Sequence, residues 1–595
     1  MHVGGAKINV APSVNQGFNI VTEAKTFVLS ASVQVVYLRS TKKLEEKVFS
    51  HPETGDLVIC TGNPILRENE KTRNLSGVVP SKVYTLIKSS LYHGISNIDG
   101  SFCILYYSKE LDQIFIITDR VGSKILFRDI SKLNCGCYST HADLLAYSTS
   151  CTTLYDHQSF AEFIAFGKVS FPHTYYKNVK AQESGSIISA KIEENSKINV
   201  LESKYFSYDY RPVVSTSLKS FVKNSAESLR QTFRNLEFSD SGKSFVSLSG
   251  GLDSRIVLAG IIGEGKSHAF TFFYFFYREI GYDNWFANFV DVDLEPMKRG
   301  DDFYGKFFRK GSLLSGGRSE LMNNHYLGFL DNLLAGNKKI LAAFYFDYIL
   351  KDLAIDTGLS RFTLRNNLSR FRYSTYMPNL LSFITRDGQV AVAGRLREVF
   401  PEEIRSDYSS GGYFWRAHKR IFPLGYEPDH SENVIPDRLL NWYLPSLSIE
   451  MLEIYQRLPI KWRLNNRFVT NLAHEMIPKK ARKVRDANTG LHVGYNQFSY
   501  SLARNLRRID SKLRSFFNFK PSGSWPSRKE VFSTSRSLKE VENLESVAFR
   551  ENVDTYINAP NFSPITPQTF QESVLASRYL TLKSWFIERD SAGWI

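Results

Sequence analysis

One stretch, FVSLSGGLDSRIVLAG at residues 245–260, constrains the fold of this chain more than any other. Its first four residues alternate as in a half-buried strand, and the apolar residues after the serine predict the start of a helix. Gly250 and Gly251 therefore lie at a strand-to-helix turn, where backbone without a Cβ can approach a ligand closely. The first N–H groups of a helix lack partners inside the helix, so this turn is a candidate anion site.

The polar residues of the turn indicate which anion it would bind. Ser249 and Ser254 add hydroxyl groups, while Asp253 adds a carboxylate that repels phosphate unless a divalent cation lies between them. The stretch thus predicts a site for a magnesium-bound polyphosphate. A second interpretation stays open, since a strand, a Gly-Gly turn and a capped helix also occur in α/β proteins that bind no ligand there.

Length and composition indicate a multidomain protein of the cytoplasm. A chain of 595 residues exceeds one ordinary core, so two or three domains are expected. We expect no membrane span, because the longest apolar stretches are too short. The N-terminus lacks a basic-then-apolar leader, so a cytoplasmic location is the expectation. The five cysteines are interpreted as reduced thiols without zinc: Cys60, Cys103, Cys135, Cys137 and Cys151.

The chain is basic, with 75 Lys and Arg against 60 Asp and Glu and a formal net charge of +15. The densest basic stretches are KKARKVR at 479–485 and RNLRRIDSKLR at 504–514. They permit an acidic partner, but no RNA-recognition module accompanies them, so solvated faces are the favoured interpretation and nucleic acid is not expected.

The two halves of the chain follow different patterns. Residues 1–205 contain short apolar runs separated by turn residues, which predict many β-strands. From about residue 215, helical periods alternate with the apolar runs FVSLS, AFTFF and KILAAF, as in a parallel α/β sheet. Residues 206–217 are the expected linker. Residues 260–267, GIIGEGKS, fit the P-loop string, but a helix precedes them and a strand follows, which is the reverse of a P-loop.

Several motifs together resemble the asparagine synthetase superfamily, which includes beta-lactam synthetases and lasso-peptide cyclases. The loop SGGLDS at 249–254 resembles the pyrophosphate loop of ATP pyrophosphatases. Three segments of the first half resemble, in order and spacing, the glutaminase-type domain of asparagine synthetases: IDGSF at 98–102, TDRVGSKILF at 118–127 and YSTHADLL at 138–145.

The resemblance implies a fold class and two domains. An α+β, Ntn-hydrolase-like β-sandwich would span residues 1–208. An α/β ATP-pyrophosphatase (PP-loop) domain with a parallel sheet and a helical C-terminal part would span 215–595. The family's glutaminase uses a cysteine next to the initiator Met, but residue 2 is His2. We therefore expect the first domain to be a scaffold that does not hydrolyse glutamine.

The resemblance also assigns roles to individual residues. Asp253 and Asp347 correspond to the family's two magnesium carboxylates. Tyr345 or Tyr348 could assist proton removal from the acceptor, and Lys483 or Arg485 could stabilise charge. The ATP-binding residues implied are Leu248, Ser249, Gly250, Gly251, Leu252, Asp253, Ser254, Thr271 and Phe272.

Some family positions differ in this chain. The family's glycines become Ala343 and Tyr345, its catalytic acid or Tyr becomes Phe344, and its lysine becomes Asn488. Tyr345 and Tyr348 are therefore also interpreted as core residues. The turn LPSLS at 444–448 resembles the family's PFLD turn without the acid.

The predicted function is ATP- and Mg²⁺-dependent amide formation. A small-molecule or peptide carboxylate would become an acyl-adenylate with release of pyrophosphate, and ammonia or a substrate amine would then displace AMP. A homodimer or a biosynthetic partner protein is left open. Two alternatives remain: a degenerate synthetase that binds nucleotide without turnover, and a tRNA-modifying ATP pyrophosphatase.

Overall fold

A computed structural model gives the fold. It describes residues 2–4, 23–30, 33–39, 46–67, 77–131, 136–192, 198–208, 211–213, 215–239, 243–262, 267–274, 278–336, 338–351, 380–399, 422–427, 431–487, 489–494, 499, 502–503, 506, 528–558 and 562–592. The basic stretch at 504–514, apart from Leu506, and the predicted positions Cys135 and Asn488 lie outside these residues.

The described residues form strands throughout the first half and at intervals in the second. These are β1 (His2–Gly4), β2 (Glu23–Ser30), β3 (Val33–Arg39), β4 (Val48–Ser50), β5 (Leu57–Leu66), β6 (Ile98–Ser108), β7 (Gln113–Thr118), β8 (Phe127–Asp129), β9 (Tyr138–Ser139), β10 (Val179–Ala181), β11 (Ser186–Ile192), β12 (Ile198–Lys204), β13 (Ser244–Ser247), β14 (His268–Phe273), β15 (Asp293–Lys298), β16 (Lys339–Leu341) and β17 (Trp442–Tyr443).

Helices flank both groups of strands. These are α1 (Val79–Ser89), α2 (Leu91–Ser96), α3 (Ala142–Ser148), α4 (His157–Phe166), α5 (Leu218–Ser239), α6 (Leu252–Ile261), α7 (Arg278–Phe289), α8 (Phe303–Ser315), α9 (Leu330–Leu334), α10 (Phe346–Leu350), α11 (Arg386–Val399), α12 (Ser431–Leu439), α13 (Ile449–Arg457), α14 (Ile460–Arg463), α15 (Arg467–Met476), α16 (Arg528–Thr534), α17 (Arg536–Asn543), α18 (Val547–Asn552) and α19 (Phe570–Ser591).

The first half contains two antiparallel sheets. Their strand orders are β10-β8-β9-β1-β3-β2 and β12-β11-β7-β6-β5-β4. Strands β5 and β6 pair along their whole length and are buried at every position. Both faces of this hairpin are covered: Leu57 and Ile59 face a core shared with the other sheet, while Val58 and Cys60 face a core shared with α1. The segments LVIC at 57–60 and FCILYY at 102–107 are therefore continuous apolar runs, since neither face of the hairpin meets water there.

The predicted β character of the first half is confirmed, with an addition. Strands but no helices were predicted for residues 1–205, whereas the helices α1–α4 cover the outer faces of the two sheets. A sheet whose two faces are both apolar needs a layer on each side, which explains these helices.

The second half contains a five-stranded parallel sheet, as predicted. Its order is β15-β14-β13-β16-β17, so the first strand along the chain lies in the centre and the chain proceeds to both sides of it. A crevice forms at the carboxyl ends of the strands where the chain reverses direction, here between β13 and β16, and in open α/β sheets ligands bind in such crevices. The expected strand KILAAF is shorter than predicted, because β16 ends at Leu341 and α10 follows.

The last helix of the chain packs against the first half. Trp585 of α19 packs against the rings of Phe160 in α4 and of Tyr175 and Tyr176 after it. Its indole N–H donates to Asp143 at 2.9 Å. Arg589 donates to the hydroxyl of Tyr155 at 3.1 Å, and Arg578 donates to the carbonyl of Ile164 at 2.8 Å.

The antiparallel sheets end with β12, and the part of the chain that contains the parallel sheet begins with α5. The domain boundaries at 208 and 215 stay a prediction. Across the described ranges, no helix combines the length and the apolar character needed to cross a membrane.

Candidate functional site

The loop after β13 lies at the reversal point of the parallel sheet. Gly250 has a φ of 71°, a left-handed conformation that glycine adopts readily. A Cβ on Gly250 would lie 2.7 Å from the Cβ of Ala487, so this position also needs the missing side chain. Ser254, in the first turn of α6, accepts from the backbone N–H of Ser249 at 3.2 Å. The loop is therefore a fixed turn that leads directly into a helix N-terminus.

A buried carboxylate holds the loop against its neighbours. Asp283 of α7 accepts from the backbone N–H of Gly250 at 2.9 Å and from the hydroxyl of Thr271 in β14 at 3.1 Å. Burial raises the pKa of Asp283 to about 7, although the nearby Arg255 guanidinium and these hydrogen bonds oppose the rise. The N–H of Gly250 is thus bonded to the protein, whereas the first N–H groups of α6 have no partners inside the helix and no side-chain cap at Gly251.

A second segment, residues 484–487, contacts the same loop. The backbone N–H of Ala487 donates to the carbonyl of Gly250 at 2.9 Å. Arg255 of α6 donates to the carbonyls of Val484 and Arg485 at 3.2 and 2.9 Å. Lys483, the predicted charge-stabilising residue, is exposed in the short turn that precedes this segment. The structure therefore brings Ala487 to the loop, while the catalytic role of Lys483 stays a prediction.

The two predicted magnesium carboxylates lie together, with a lysine between them. Asp253 is in the first turn of α6 and Asp347 is in the first turn of α10. The ammonium of Lys351 forms an ion pair with each of them, at 2.6 Å from Asp347 Oδ1 and with Asp253 Oδ2. The two acids thus lie on one lysine that the sequence did not predict, and their role as magnesium ligands stays a prediction.

The charges of this cluster shift one another's protonation. Burial raises the pKa of Asp253 to about 6, against the opposing effect of the Lys351 ammonium, and the carboxylate of Asp347 adds to the rise. Burial alone would lower the pKa of Lys351, but the two carboxylates raise it well above its ordinary value. The lysine is therefore charged across the physiological pH range.

The cluster also tests the expected Mg²⁺ site. Mg²⁺ binds oxygen ligands at about 2.0–2.1 Å, so a bridging ion needs the carboxylate oxygens that Lys351 contacts. As they lie here, Asp253 and Asp347 do not fit a bridging Mg²⁺, because the ammonium occupies the gap between them. Within the described part of the chain, no group of three or more His, Cys, Asp or Glu is placed to hold a metal ion.

Tyr345 takes the backbone conformation of a glycine. Its φ is 70°, although it carries a side chain, and it lies just before α10. Left-handed backbone costs a residue with a side chain about 1–2 kcal/mol. Tyr345 and Tyr348 are 4% and 2% exposed and belong to the core of the parallel sheet, which supports their interpretation as core residues. The carbonyl of Phe344 accepts from the hydroxyl of Ser446 at 2.7 Å, so the turn 444–448 supports this backbone.

Thr271 and Phe272, whose backbone would hold adenine according to the family resemblance, lie at the end of β14. Thr271 is bonded to Asp283, and the ring of Phe272 stacks on Phe329 at a centroid distance of 5.0 Å. The guanidinium of Arg299 lies 5.0 Å from the centre of the Phe272 ring. Both side chains are therefore engaged in packing, and contact of this backbone with adenine stays a prediction.

Two residues of the site, Lys351 and Asp283, were not predicted from the sequence, although the position of Lys351 carried a recognisable spacing. Asp347 and Lys351 are four residues apart, the spacing of an ion pair on one helix face. No such local spacing marks Asp283, because its contacts with Gly250 and Thr271 depend on the packing of α7 against the sheet.

Comparisons with known proteins concern mainly the first half. A family model described as a glutamine amidotransferase domain matches residues 83–206. Similar solved structures include a glutamine phosphoribosylpyrophosphate (PRPP) amidotransferase from B. subtilis complexed with ADP and GMP, at 10% identity and a TM-score of 0.20. Another is an allosteric regulatory enzyme of purine biosynthesis, at 11% identity and a TM-score of 0.20.

These matches are partial in length. Each alignment covers 37% of this chain and 47% of the other chain, so less than half of those proteins is represented. No curated protein matches this chain. The first half therefore carries amidotransferase-type similarity, and the second half is interpreted from its own geometry.

Proposed function

We propose that the protein is an ATP-dependent amide-forming enzyme of the asparagine synthetase type, with a PP-loop domain in its second half. One observation carries this proposal: the loop 249–254 and the acid Asp347 meet at the reversal point of a parallel sheet, between β13 and β16. Ligands bind at this point in open α/β sheets. The match of residues 83–206 to a glutamine amidotransferase domain supports a reaction that transfers nitrogen, because such domains accompany enzymes that form bonds to nitrogen.

The proposed reaction has two steps. A carboxylate oxygen of the substrate attacks the α-phosphorus of ATP, the bond to the β-phosphate breaks, and pyrophosphate leaves. An amine then attacks the carbonyl carbon of the acyl-adenylate, AMP leaves, and the amine loses a proton. The start of α6 would hold the pyrophosphate through the backbone N–H groups and the hydroxyl of Ser254. Mg²⁺ belongs to this proposal as the ion that travels with the nucleotide and neutralises phosphate charge.

The amine is proposed to be ammonia or an amine of the substrate, without glutamine hydrolysis. A cysteine nucleophile needs an accessible thiol with a lowered pKa. Cys60, Cys103 and Cys151 are buried instead, and burial raises the pKa of the Cys103 thiol to about 12. Cys137 is half-buried and Cys135 lies outside the described residues, so the three buried thiols support this part of the proposal, which predicts that incubation with glutamine releases no glutamate.

A trapping assay tests the ligase activity. Hydroxylamine reacts with acyl-adenylates, so a panel of carboxylates and short peptides with ATP and Mg²⁺ should give a hydroxamate with at least one member. Asp253→Asn should lower the rate by about 100-fold or more, because it removes one of the two carboxylates that hold the Lys351 ammonium beside the start of α6. Asp293→Asn is the matched control, since Asp293 is exposed at the amino end of β15, away from the carboxyl ends that form the site.

A second candidate is nucleotide binding without turnover. The bonds of Lys351 to both acids favour it, since these carboxylates are then engaged within the protein. ATP binding without hydroxamate, AMP or pyrophosphate formation would select this candidate over the ligase.

A further inference from the structure

Lys351 is held as a fixed part of the site rather than as a surface side chain. Its side chain is 14% exposed, and its two acceptors come from different elements, Asp253 from α6 and Asp347 from α10. The helix α10 starts at Phe346 and ends at Leu350, so one helical turn separates Lys351 from Asp347. The ammonium therefore joins the loop after β13 to the helix after β16.

The cluster needs a positive charge in this place. Asp253 and Asp347 contact the same nitrogen, so their carboxylates are close enough to repel each other strongly without a cation. Asp486 adds a third negative charge that acts on Asp253. Oδ1 of Asp253 is buried and has no hydrogen-bond partner among the described residues, so the ammonium is what compensates this carboxylate.

We propose that Lys351 is the built-in cation of this site and takes the place of a divalent ion that would bridge Asp253 and Asp347. An ammonium has three N–H donors, and the described contacts use two of them on the carboxylates. The third donor is available to an oxygen of a polyphosphate above the start of α6, a role that lysine fills as a point charge. This last step rests on the function proposed above.

A metal titration without nucleotide tests the proposal. Mn²⁺ binding to the full chain is followed by electron paramagnetic resonance. The wild-type protein should show no Mn²⁺ site that depends on Asp347. Lys351→Met should gain one such site and should bind Mn²⁺ there at least tenfold more tightly than the wild-type protein binds Mn²⁺ anywhere. The double variant Lys351→Met/Asp347→Asn should lose this site again.

Two further variants separate charge from packing. Lys351→Arg keeps the positive charge, so it should gain no Mn²⁺ site. Lys219→Met removes an exposed lysine of α5 and should behave as the wild type. The proposal is overturned if the wild type already binds one Mn²⁺ that Asp347→Asn removes, or if Lys351→Met, folded by circular dichroism, gains no site.

A separate measurement addresses the polyphosphate. Binding of inorganic pyrophosphate in the presence of EDTA should be measurable for the wild type and at least tenfold weaker for Lys351→Met. If neither protein binds pyrophosphate or Mg-ATP while the Mn²⁺ result holds, the proposed function fails and the role of Lys351 as a cation stands.

Discussion

The substitution Gly250→Ala tests the geometry of the loop at the site. Two costs follow from the structure. Alanine at a φ of 71° costs about 1–2 kcal/mol, because left-handed backbone brings Cβ close to the carbonyl. The new methyl group would also lie 2.7 Å from the Cβ of Ala487, and such overpacking costs about 1–3 kcal/mol. The expected loss of unfolding free energy is therefore about 2–5 kcal/mol.

Gly336→Ala is a matched control for this variant. Gly336 has the same φ of 71°, but among the described residues no heavy atom beyond its chain neighbours lies within 4 Å of its would-be Cβ. Its substitution should cost only the backbone term of about 1–2 kcal/mol. The difference between the two variants isolates the contact between the loop and Ala487.

Guanidinium denaturation of the full chain measures both losses, and calorimetric titration measures binding of Mg-ATP. Gly250→Ala should show the larger loss and at least tenfold weaker binding, whereas Gly336→Ala should bind as the wild type does. The reasoning is refuted if the two variants are equally stable and bind Mg-ATP equally, because the loop would then not be closed by the segment around Ala487.

Three other predictions concern Asp283, Trp585 and Ser446. Burial raises the pKa of Asp283 from its ordinary value of 3.8 to about 7, so the folded state holds its proton more tightly. Its contribution to stability is present below about pH 4 and is lost as pH rises through about 7, by up to roughly 4 kcal/mol. Denaturation midpoints of Asp283→Asn between pH 4 and 8 should therefore vary less than those of the wild type, and equal pH profiles would contradict this. Trp585→Phe removes the donor to buried Asp143 and should cost about 1–3 kcal/mol in thermal or denaturant unfolding, while the control Trp285→Phe, at a residue 58% exposed, should cost almost nothing. Ser446→Ala should lower unfolding free energy by about 1 kcal/mol through loss of the bond to the Phe344 carbonyl, and a loss no larger than that of the exposed Ser533→Ala would argue against that bond.

Local pattern was sufficient to predict much of the fold. The strands β5, β6 and β14 each contain a short run of mainly apolar residues, namely LVIC, FCILYY and AFTFF, and such runs form strands when both faces are covered. Order along the chain also separated two glycine-rich stretches correctly. Residues 260–267 fit a P-loop string, but α6 precedes them and β14 follows, whereas the loop 249–254 has a strand before it and a helix after it.

Pairings between distant elements could not be predicted in the same way. The pairing of Asp253 with Asp347 came from resemblance, and the structure supports the pair but places the ammonium of Lys351 between them. The bond from Gly250 to Asp283 depends on how α7 packs on the sheet. The docking of Trp585 against Asp143 joins residues 442 positions apart in the chain, and no local period contains that information.

The most direct test of the proposed acyl-adenylate mechanism is to determine which phosphate bond of ATP the protein breaks. The full chain is incubated with ATP labelled in the α-phosphate, Mg²⁺, hydroxylamine and the carboxylate panel, and the nucleotide products are separated. Our account predicts AMP together with an equal amount of pyrophosphate, and neither product from Asp253→Asn. Formation of ADP and phosphate instead, or equal AMP formation by Asp253→Asn, would contradict it.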